Sequence, residues 1–266
     1  MSHTEVIRRL ASAHVTGAGL HDDAYKGAGP NRRCFRAEPK GEDPSAQARL
    51  KKQEDTEIRR HHGDGDASNE AGQNILLFPK QSVTDYVILR PTVKQALKQL
   101  TVCLRSYTNL HRGHSLFSLA TPEKNNAFLI YLQSPKFCHV YINQEKFVFE
   151  VDPEVLDWKQ TCVAWDSETG LLQLWINGKR YPRRVTASRS PIGPQMSVIL
   201  GQEQDSFGGK FDAGQSFVGE MSDVNMWDHV LSTKTIANNY LYESGNIFSW
   251  TNGTKEIRGG VMALEN

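Results

Sequence analysis

Residues 200–215 form a loop that is dense in oxygen donors. It carries three carboxylates and three carboxamides, namely Glu203, Asp205, Asp212, Gln202, Gln204 and Gln215. Hard cations such as calcium take six to eight oxygen ligands from carboxylates, side-chain amides and backbone carbonyls. Glycines interrupt the loop, so neither a regular strand nor a helix can contain it. The composition indicates a calcium site, and the alternative interpretation is a solvated acidic turn.

Strand patterns flank this loop on both sides. Residues 196–200 form a short apolar run before it, and residues 216–227 alternate between apolar and polar side chains after it. Both patterns are typical of β-strands. The loop is therefore predicted to connect two strands.

The run from residue 199 to residue 231 resembles the corresponding segment of the pentraxins, and GQEQDSFGG at residues 201–209 matches without a gap. A second family marker has the pattern His-x-Cys-x-Ser/Thr-Trp-x-Ser/Thr. Residues 160–167 keep its cysteine, its tryptophan and its final serine, but Gln160 and Ala164 depart from it. The resemblance begins near residue 74 and reaches the C-terminus. It implies an all-β, antiparallel two-sheet jelly-roll sandwich of the concanavalin or lectin type, with one helix on one face.

The spacing of strand-like segments supports the same fold class. Short strands are predicted at residues 86–89, 100–107, 115–119, 127–132, 139–142, 146–151, 160–165 and 171–176, with turns between them, including one at 121–126. Asn177-Gly178 between two such segments predicts a β-hairpin. Many short strands at this spacing favour a sandwich or jelly roll. One helix is predicted at residues 232–241, with Ser232 or Thr233 as its N-cap.

The first 72 residues differ in composition from the rest of the chain. They are rich in Gly, Ala, charged residues and His, with isolated large apolar residues. Such a segment cannot bury enough apolar surface to offset the entropy of ordering. We therefore expect a disordered or weakly helical extension at 1–72 and a pentraxin-like domain at 73–266.

Global charge and hydropathy limit the function classes. The formal net charge is +1, so electrostatics indicate neither a nucleic-acid groove nor an anionic membrane as partner. The sequence has no apolar run of the length that a membrane span needs.

The four cysteines indicate the cellular compartment of the protein, because disulfides and free thiols occur in different ones. The resemblance implies that Cys103 and Cys162 form the family's intradomain disulfide, and the alternative is two buried free thiols. Cys34 and Cys138 are expected to be free. A disulfide requires an oxidising compartment, yet the first ten residues lack the apolar core of a signal peptide. We expect a secreted protein whose natural start differs from the start of this chain, and the alternative is a product that is not secreted by the usual route.

The resemblance also implies a set of ligands for two calcium ions per protomer. The side chains are Asn125, Asn126, Glu203, Asp205, Asp212 and Gln215, and Gln204 contributes its backbone carbonyl. Glu203 and Asp205 are expected to bridge the two ions. Family members usually have Asp-Asn where this chain has Asn125-Asn126, and some have Glu at Asp212. Fewer anionic ligands weaken calcium binding, so we expect reduced affinity for the first ion. Asp212 has a shorter reach than Glu, so we expect the second ion to be the more labile.

The same resemblance places an apolar ligand pocket beside the calcium pair, at Leu129, Tyr131, Tyr141 and Lys146. Members that bind choline use an acidic residue to contact its cation, and Lys146 stands near that position. A lysine repels a quaternary ammonium, which favours phosphoethanolamine-type, sugar-acetal or other anionic ligands. The alternative role of both tyrosines is packing.

Two further expectations concern tryptophan and asparagine side chains. Trp165, Trp175 and Trp227 are assigned to the sandwich core rather than to ligand stacking. Asn252-Gly253-Thr254 is a glycosylation sequon, whose use depends on secretion.

Three functions compete at this stage. The preferred one is a non-enzymatic, calcium-dependent recognition protein of innate immunity, assembled as a homopentamer, with complement components and immune receptors as possible partners. The second is a pentraxin-like module with weakened calcium binding that serves in adhesion or assembly. The third is a jelly-roll glycoside hydrolase, because Glu203 and Asp205 have the Glu-x-Asp spacing of one such group. Phe207 stands where that enzyme pattern needs a third acid.

Overall fold

The computed structural model describes residues 75–153, 157–237 and 243–265. The extension expected at residues 1–72 and the expected free thiol of Cys34 lie outside these ranges.

The described residues form fifteen strands, one short α-helix and one 3-10 turn. The strands β1 to β15 are, in order, Ile75–Phe78, Tyr86–Leu89, Gln99–Tyr107, His114–Thr121, Lys124–Ser134, Phe137–Ile142, Glu145–Glu150, Lys159–Asp166, Leu171–Ile176, Lys179–Arg180, Arg184–Val185, Ser197–Leu200, Gly219–Trp227, Lys255–Arg258 and Met262–Leu264. The 3-10 turn spans Ala213–Gln215 and the helix, α1, spans Thr233–Ala237.

Two antiparallel sheets build the domain. The first has the order β10-β9-β8-β3-β13-β1-β15, with β11 also paired to β9, and the second has the order β14-β2-β12-β4-β5-β6-β7. The predicted antiparallel two-sheet jelly roll is confirmed. Chain neighbours pair as hairpins in β4 to β7, whereas β1 pairs with β13 and β15 from the far end of the sequence.

Alternation along β5 decides which side chains reach the core and which reach the site. Phe128 and Ile130 point between the sheets, where Phe128 meets Phe117 edge-on at 5.9 Å between ring centroids. Leu129 and Tyr131 point to the outer face, outside the core cluster. Because successive strand residues face opposite ways, one strand serves both the core and the pocket.

A second apolar cluster lies on the outer face of the first sheet, beneath α1. It contains the disulfide Cys103–Cys162 together with Trp175, Trp227 and Ile236. The predicted disulfide is therefore present, between directly opposed residues of β3 and β8. The core assignment holds for Trp165, whereas Trp175 and Trp227 are buried in this second cluster and not between the sheets.

Turn chemistry explains the hairpins. Asn177 and Gly178 have φ values of 48° and 73°, the left-handed conformations that a two-residue type I′ turn requires. The turn predicted at 121–126 is wrong in extent, because β4 continues to Thr121 and β5 begins at Lys124. Asn125 and Asn126 consequently belong to a strand.

The predicted helix is present at its N-terminal end. The Ser232 hydroxyl accepts a hydrogen bond from the Thr235 amide at 3.0 Å, which makes Ser232 the N-cap. Residues 238–242 lie outside the described part, so the predicted extent to residue 241 is not described. None of the described helices has the length and apolarity that a membrane span requires.

Cys138 is free and buried, as expected. Burial raises the pKa of its thiol to about 12, because the thiolate is disfavoured away from water.

Candidate functional site

The oxygen-rich loop leaves β12 through a tight turn at Gly201. This residue has a φ of +83°, and a side-chain Cβ there would lie 2.4 Å from Cε1 of Phe78. Only glycine fits such a contact in this conformation. The Phe217 amide donates to the Gly201 carbonyl at 2.8 Å, so the loop begins and ends at one point of the sandwich.

Gln204 fixes the middle of the loop with its side chain. Its amide nitrogen donates to the carbonyls of Ser118 and Ser197 at 3.0 and 3.1 Å. Its amide oxygen accepts from the Gly208 amide at 2.9 Å. Since both ends of this buried carboxamide are used, its backbone carbonyl is the group left for an ion, as the ligand prediction requires.

Glu203 lies beside Asn126 of β5. Its side chain is only 9% exposed, and Asn126 Nδ2 donates to its Oε1 at 3.4 Å. The neighbouring Asn125 accepts a hydrogen bond from Gln144 Nε2 at 2.6 Å through its Oδ1. The fold thus brings the predicted ligands of β5 next to the loop, although they are far apart in sequence.

The electrostatics of Glu203 are those of a buried anion that the Asn126 hydrogen bond and the charge of Lys146 stabilise only in part. Burial raises the pKa of this carboxyl, and repulsion from Asp205 and Asp212 adds to the effect. Asp205 and Asp212 themselves are exposed. A buried carboxylate that is destabilised in this way favours the binding of a cation beside it.

Asp212 and Gln215 belong to the 3-10 turn that ends the loop. Asp212 caps the turn, because its Oδ1 accepts from the Gly214 amide at 2.8 Å. Gln215 follows within the turn, and its Oε1 is buried without a hydrogen-bond partner. Asn126 Oδ1 is buried and unpartnered in the same way.

These two unpartnered oxygens test whether the residues present fit calcium. A buried amide oxygen without a hydrogen bond is costly, and a hard cation would satisfy it. The donors are amide oxygens, carboxylates and one free carbonyl, so their chemistry fits calcium. Among the described residues no three His, Cys, Asp or Glu side chains form a metal-binding cluster, so amides and carbonyls would have to complete the shell. The ligand assignments stay a prediction.

The predicted pocket residues share the outer face of the second sheet. Leu129, Tyr141 and Lys146 are directly opposed across β5, β6 and β7. Lys146 Nζ lies 5.9 Å from the centre of the Tyr141 ring. Tyr131 stacks on His139, with ring centroids 6.2 Å apart. The proximity of Glu203 contributes to the raised pKa values of Tyr131 and Tyr141, for which burial is the largest cause. The pocket therefore adjoins the acidic loop.

A separate cleft of about 940 Å³ is lined by residues 92–99 and by Asp166, Glu168 and Asp228. Asp166 already accepts hydrogen bonds from the Glu168 amide and the Thr169 hydroxyl. Asp228 accepts one from Asn246 at 2.7 Å. Because Asp166 and Asp228 have partners within the protein, this cleft is a poorer candidate than the loop.

Sequence reasoning missed three side chains that hold the site in place. Ser118 anchors Gln204, Gln144 binds Asn125, and Arg112 donates to carbonyls of the 3-10 turn. No local pattern marks these residues, because each acts on a segment distant in the chain. The predicted glycosylation site lies away from these residues. Asn252 is exposed in a turn before β14, and its glycosylation stays a prediction.

Comparison with known proteins identifies relatives of the whole described domain. A family model described as the pentaxin family matches residues 74–264. Jeltraxin from Lepidobatrachus laevis is 57% identical over 201 residues, covering 73% of this chain and 88% of that protein. A C-reactive protein from Xenopus laevis is 56% identical over 192 residues, covering 70% and 80%. A solved structure, the native heptameric SAP-like pentraxin from Limulus polyphemus, has a TM-score of 0.64 at 25% identity, covering 72% and 94%.

Proposed function

This chain belongs to the pentraxin family, and on that premise we propose that it is a secreted, calcium-dependent recognition protein of innate immunity. Its ligands are phosphate-bearing or otherwise anionic molecules, such as phosphoethanolamine, phosphocholine, polysaccharide or cell debris. One observation carries the proposal: Asn126 and Gln215 each present a buried amide oxygen without a hydrogen-bond partner beside an acidic loop.

Two calcium ions would be held by residues from β5 and from the loop. Asn125, Asn126 and the Gln204 carbonyl serve the first ion, while Asp212 and Gln215 serve the second. Glu203 and Asp205 would be shared by the two ions. Bound calcium supplies positive charge that attracts an anionic group of the ligand. The carboxylates offset the repulsion between the ions, and the amides complete the shell without adding charge.

The pocket beside the ions sets the ligand preference. Tyr131 and Tyr141 offer ring surface, and Lys146 lies over the Tyr141 ring. Lys146 attracts a second anionic group and repels an ammonium group. The primary ammonium of phosphoethanolamine can offset that repulsion by donating hydrogen bonds, whereas the quaternary ammonium of phosphocholine has no hydrogen to donate. We therefore propose a preference for phosphoethanolamine-type and other anionic ligands over phosphocholine.

Retention on phosphoethanolamine-agarose tests this proposal. We expect the protein to bind the resin in millimolar calcium, to elute with a chelator, and to bind a phosphocholine resin more weakly. Unmodified agarose in calcium is the control for binding to the matrix. Retention on the ligand resin that persists in the chelator would contradict the proposal.

Assembly and partners follow from the same proposal. A homopentamer would turn weak single-site binding into avidity for a repetitive surface, although the Limulus relative is heptameric. Complement components and immune receptors are the proposed partners of the bound assembly. We propose no enzymatic activity: beyond Glu203 and Asp205 a hydrolase of that pattern needs another acid, and Phe207 is an apolar side chain, 43% exposed.

The second candidate function is a pentraxin-like module with weakened calcium binding that serves in adhesion or assembly. The observation that favours it is Asn125, which adds no charge at a position where the family usually has an acid. Its side-chain oxygen is also engaged by Gln144. No retention on the resin in either condition would favour this candidate.

Replacement of Asn125 by aspartate separates the two candidates. Asn125→Asp keeps the acceptor for Gln144 and adds one negative charge, so we expect the affinity for the first ion to rise by roughly tenfold. Calcium titration by calorimetry measures the change. Asn177→Asp makes the same charge change in a hairpin of the other sheet, where aspartate also tolerates the left-handed backbone, and should leave calcium affinity unaltered. Equal affinities in Asn125→Asp and the wild type would contradict a role of residue 125 in calcium binding.

A further inference from the structure

Arg112 makes an unusual set of hydrogen bonds just before β4. Its Nη1 donates to the carbonyls of Gly113, Gly214 and Ser216 at 3.0, 3.0 and 2.7 Å. Gly214 and Ser216 stand on either side of Gln215. One guanidinium nitrogen thus holds the backbone carbonyls of the two residues that flank a proposed calcium ligand.

The 3-10 turn at Ala213–Gln215 has little else to hold it. It contains no buried residue, and its other hydrogen bonds are local, such as those from the amides of Gln215 and Ser216 to the carbonyls of Asp212 and Ala213. Among the described residues, Arg112 makes the hydrogen bond that joins residues 212–215 to a distant part of the chain. A second link runs through Ser216, whose Oγ accepts a hydrogen bond from the Ser82 amide at 3.3 Å and donates one to the Ala213 carbonyl at 2.8 Å. Arg112 supplies the shorter, charge-assisted contacts, at 3.0 Å to Gly214 and 2.7 Å to Ser216.

The amide oxygen of the Gln215 side chain makes no hydrogen bond that would fix its position. Its Oε1 is buried and unpartnered, so the backbone of the turn must direct that oxygen. A ligand that is already in position loses less conformational entropy when an ion binds. Fixing the carbonyls next to Gln215 is one way to provide this preorganisation.

We infer that Arg112 is a positioning residue for the second calcium ion, which holds the turn carrying Asp212 and Gln215 in its binding conformation before the ion arrives. This inference rests on the proposed calcium-dependent function. Arginine suits the role because its guanidinium is always charged and holds its N–H donors in a rigid plane, so that Nη1 makes charge-assisted hydrogen bonds to all three carbonyls. Lysine has a compact ammonium on a flexible stem and would replace it only in part.

A calcium titration of the full chain tests the inference. We expect Arg112→Ala to weaken the second ion by about tenfold, in keeping with the loss of hydrogen bonds from a charged donor, and Arg112→Lys to recover part of that loss. The first ion, on Asn125 and Asn126, should change by less than about twofold. Arg90→Ala removes an exposed arginine paired with Glu256 at 2.7 Å and is the control that should change neither ion. Equal weakening of both ions, or no change, would overturn the inference.

Amide hydrogen exchange in calcium-free buffer provides a second readout. In Arg112→Ala the Gln215 and Ser216 amides should exchange about ten times faster than in the wild type, because the turn opens locally. The Ile130 amide in β5 should be unaffected, which also shows that the variant is folded. Unchanged exchange at Gln215 and Ser216 would refute the positioning role. If the wild type bound no calcium, the proposed function would fail, and the exchange result would still decide whether Arg112 orders the turn.

Discussion

Replacing Glu203 by glutamine is expected to abolish calcium binding at both proposed positions. Glu203 is nearly buried, contacts Asn126, and is the side chain assigned to bridge the two ions. Glutamine has the same shape but removes one negative charge from between two dications. Because ligand charge is a main determinant of calcium affinity, we expect the affinity to fall by roughly 100-fold or more.

The metal-free variant should lose no stability. Burial raises the pKa of the Glu203 carboxyl, and Asp205 and Asp212 repel its charge, so the folded state gains when the charge is removed. Thermal unfolding with calcium and with a chelator measures both effects. Calcium should raise the unfolding temperature of the wild type and leave that of Glu203→Gln unchanged. In the chelator the variant should unfold at the same temperature as the wild type or higher.

A nearby carboxylate supplies the matched control for this experiment. Glu123 is exposed in the turn between β4 and β5, outside the proposed ligand set, so Glu123→Gln should keep the calcium-induced rise of the wild type. A Glu203→Gln variant that also kept the full rise would contradict the bridging role.

Removal of the disulfide is expected to have the largest effect on stability. Cys103 and Cys162 close a loop with a sequence separation of 59 residues. In the chain-entropy model the loss of such a crosslink lowers the free energy of unfolding by about 4 kcal/mol. The pairing of β3 with β8 over eight residue pairs should keep the Cys103→Ala/Cys162→Ala variant folded at room temperature.

Chemical denaturation of the two proteins measures the disulfide effect. The wild type should lose stability when a reductant is added, and the double variant should not respond to it. Cys138 is free and buried, so its thiol is present in both proteins and does not affect the comparison. A loss below about 1 kcal/mol would contradict a stabilising role of the crosslink.

Local sequence patterns predicted many of the strands of the two sheets. β2 and β9 have the predicted bounds, and β3 and β8 differ from prediction by one residue at one or both ends. Apolar alternation and turn residues such as Asn177 and Gly178 depend on neighbours in the chain, so a single sequence contains the information. The disulfide between Cys103 and Cys162 was predicted from the resemblance to the pentraxins, because the spacing of the four cysteines does not determine which of them pair.

Long-range packing is what the sequence left undetermined. The short edge strands β10, β11, β14 and β15 have weak patterns of their own and form because neighbouring strands offer free backbone groups. Trp175 and Trp227 are as apolar as Trp165, but each directly follows a core residue of its own strand, Leu174 and Met226, and therefore faces the other side of the sheet. The helix α1 that covers them there is distant from β9 in the sequence. Arg112 carries no motif, since its partners Gly214 and Ser216 lie about a hundred residues away. The extent of β5 was also missed, and with it the strand setting of Asn125 and Asn126.

Calorimetric titration of calcium into the metal-free, full-length wild-type chain is the most direct measurement of the proposed function. The proposed ligands come from β5 and from the loop, and Glu203 and Asp205 are proposed to be shared by both ions, so we predict saturable binding of two calcium ions per chain. Binding of the first ion should be weaker than in relatives with an acid at the position of Asn125. A titration that shows no saturable calcium binding would contradict the proposal that this site is a two-calcium platform for anionic ligands.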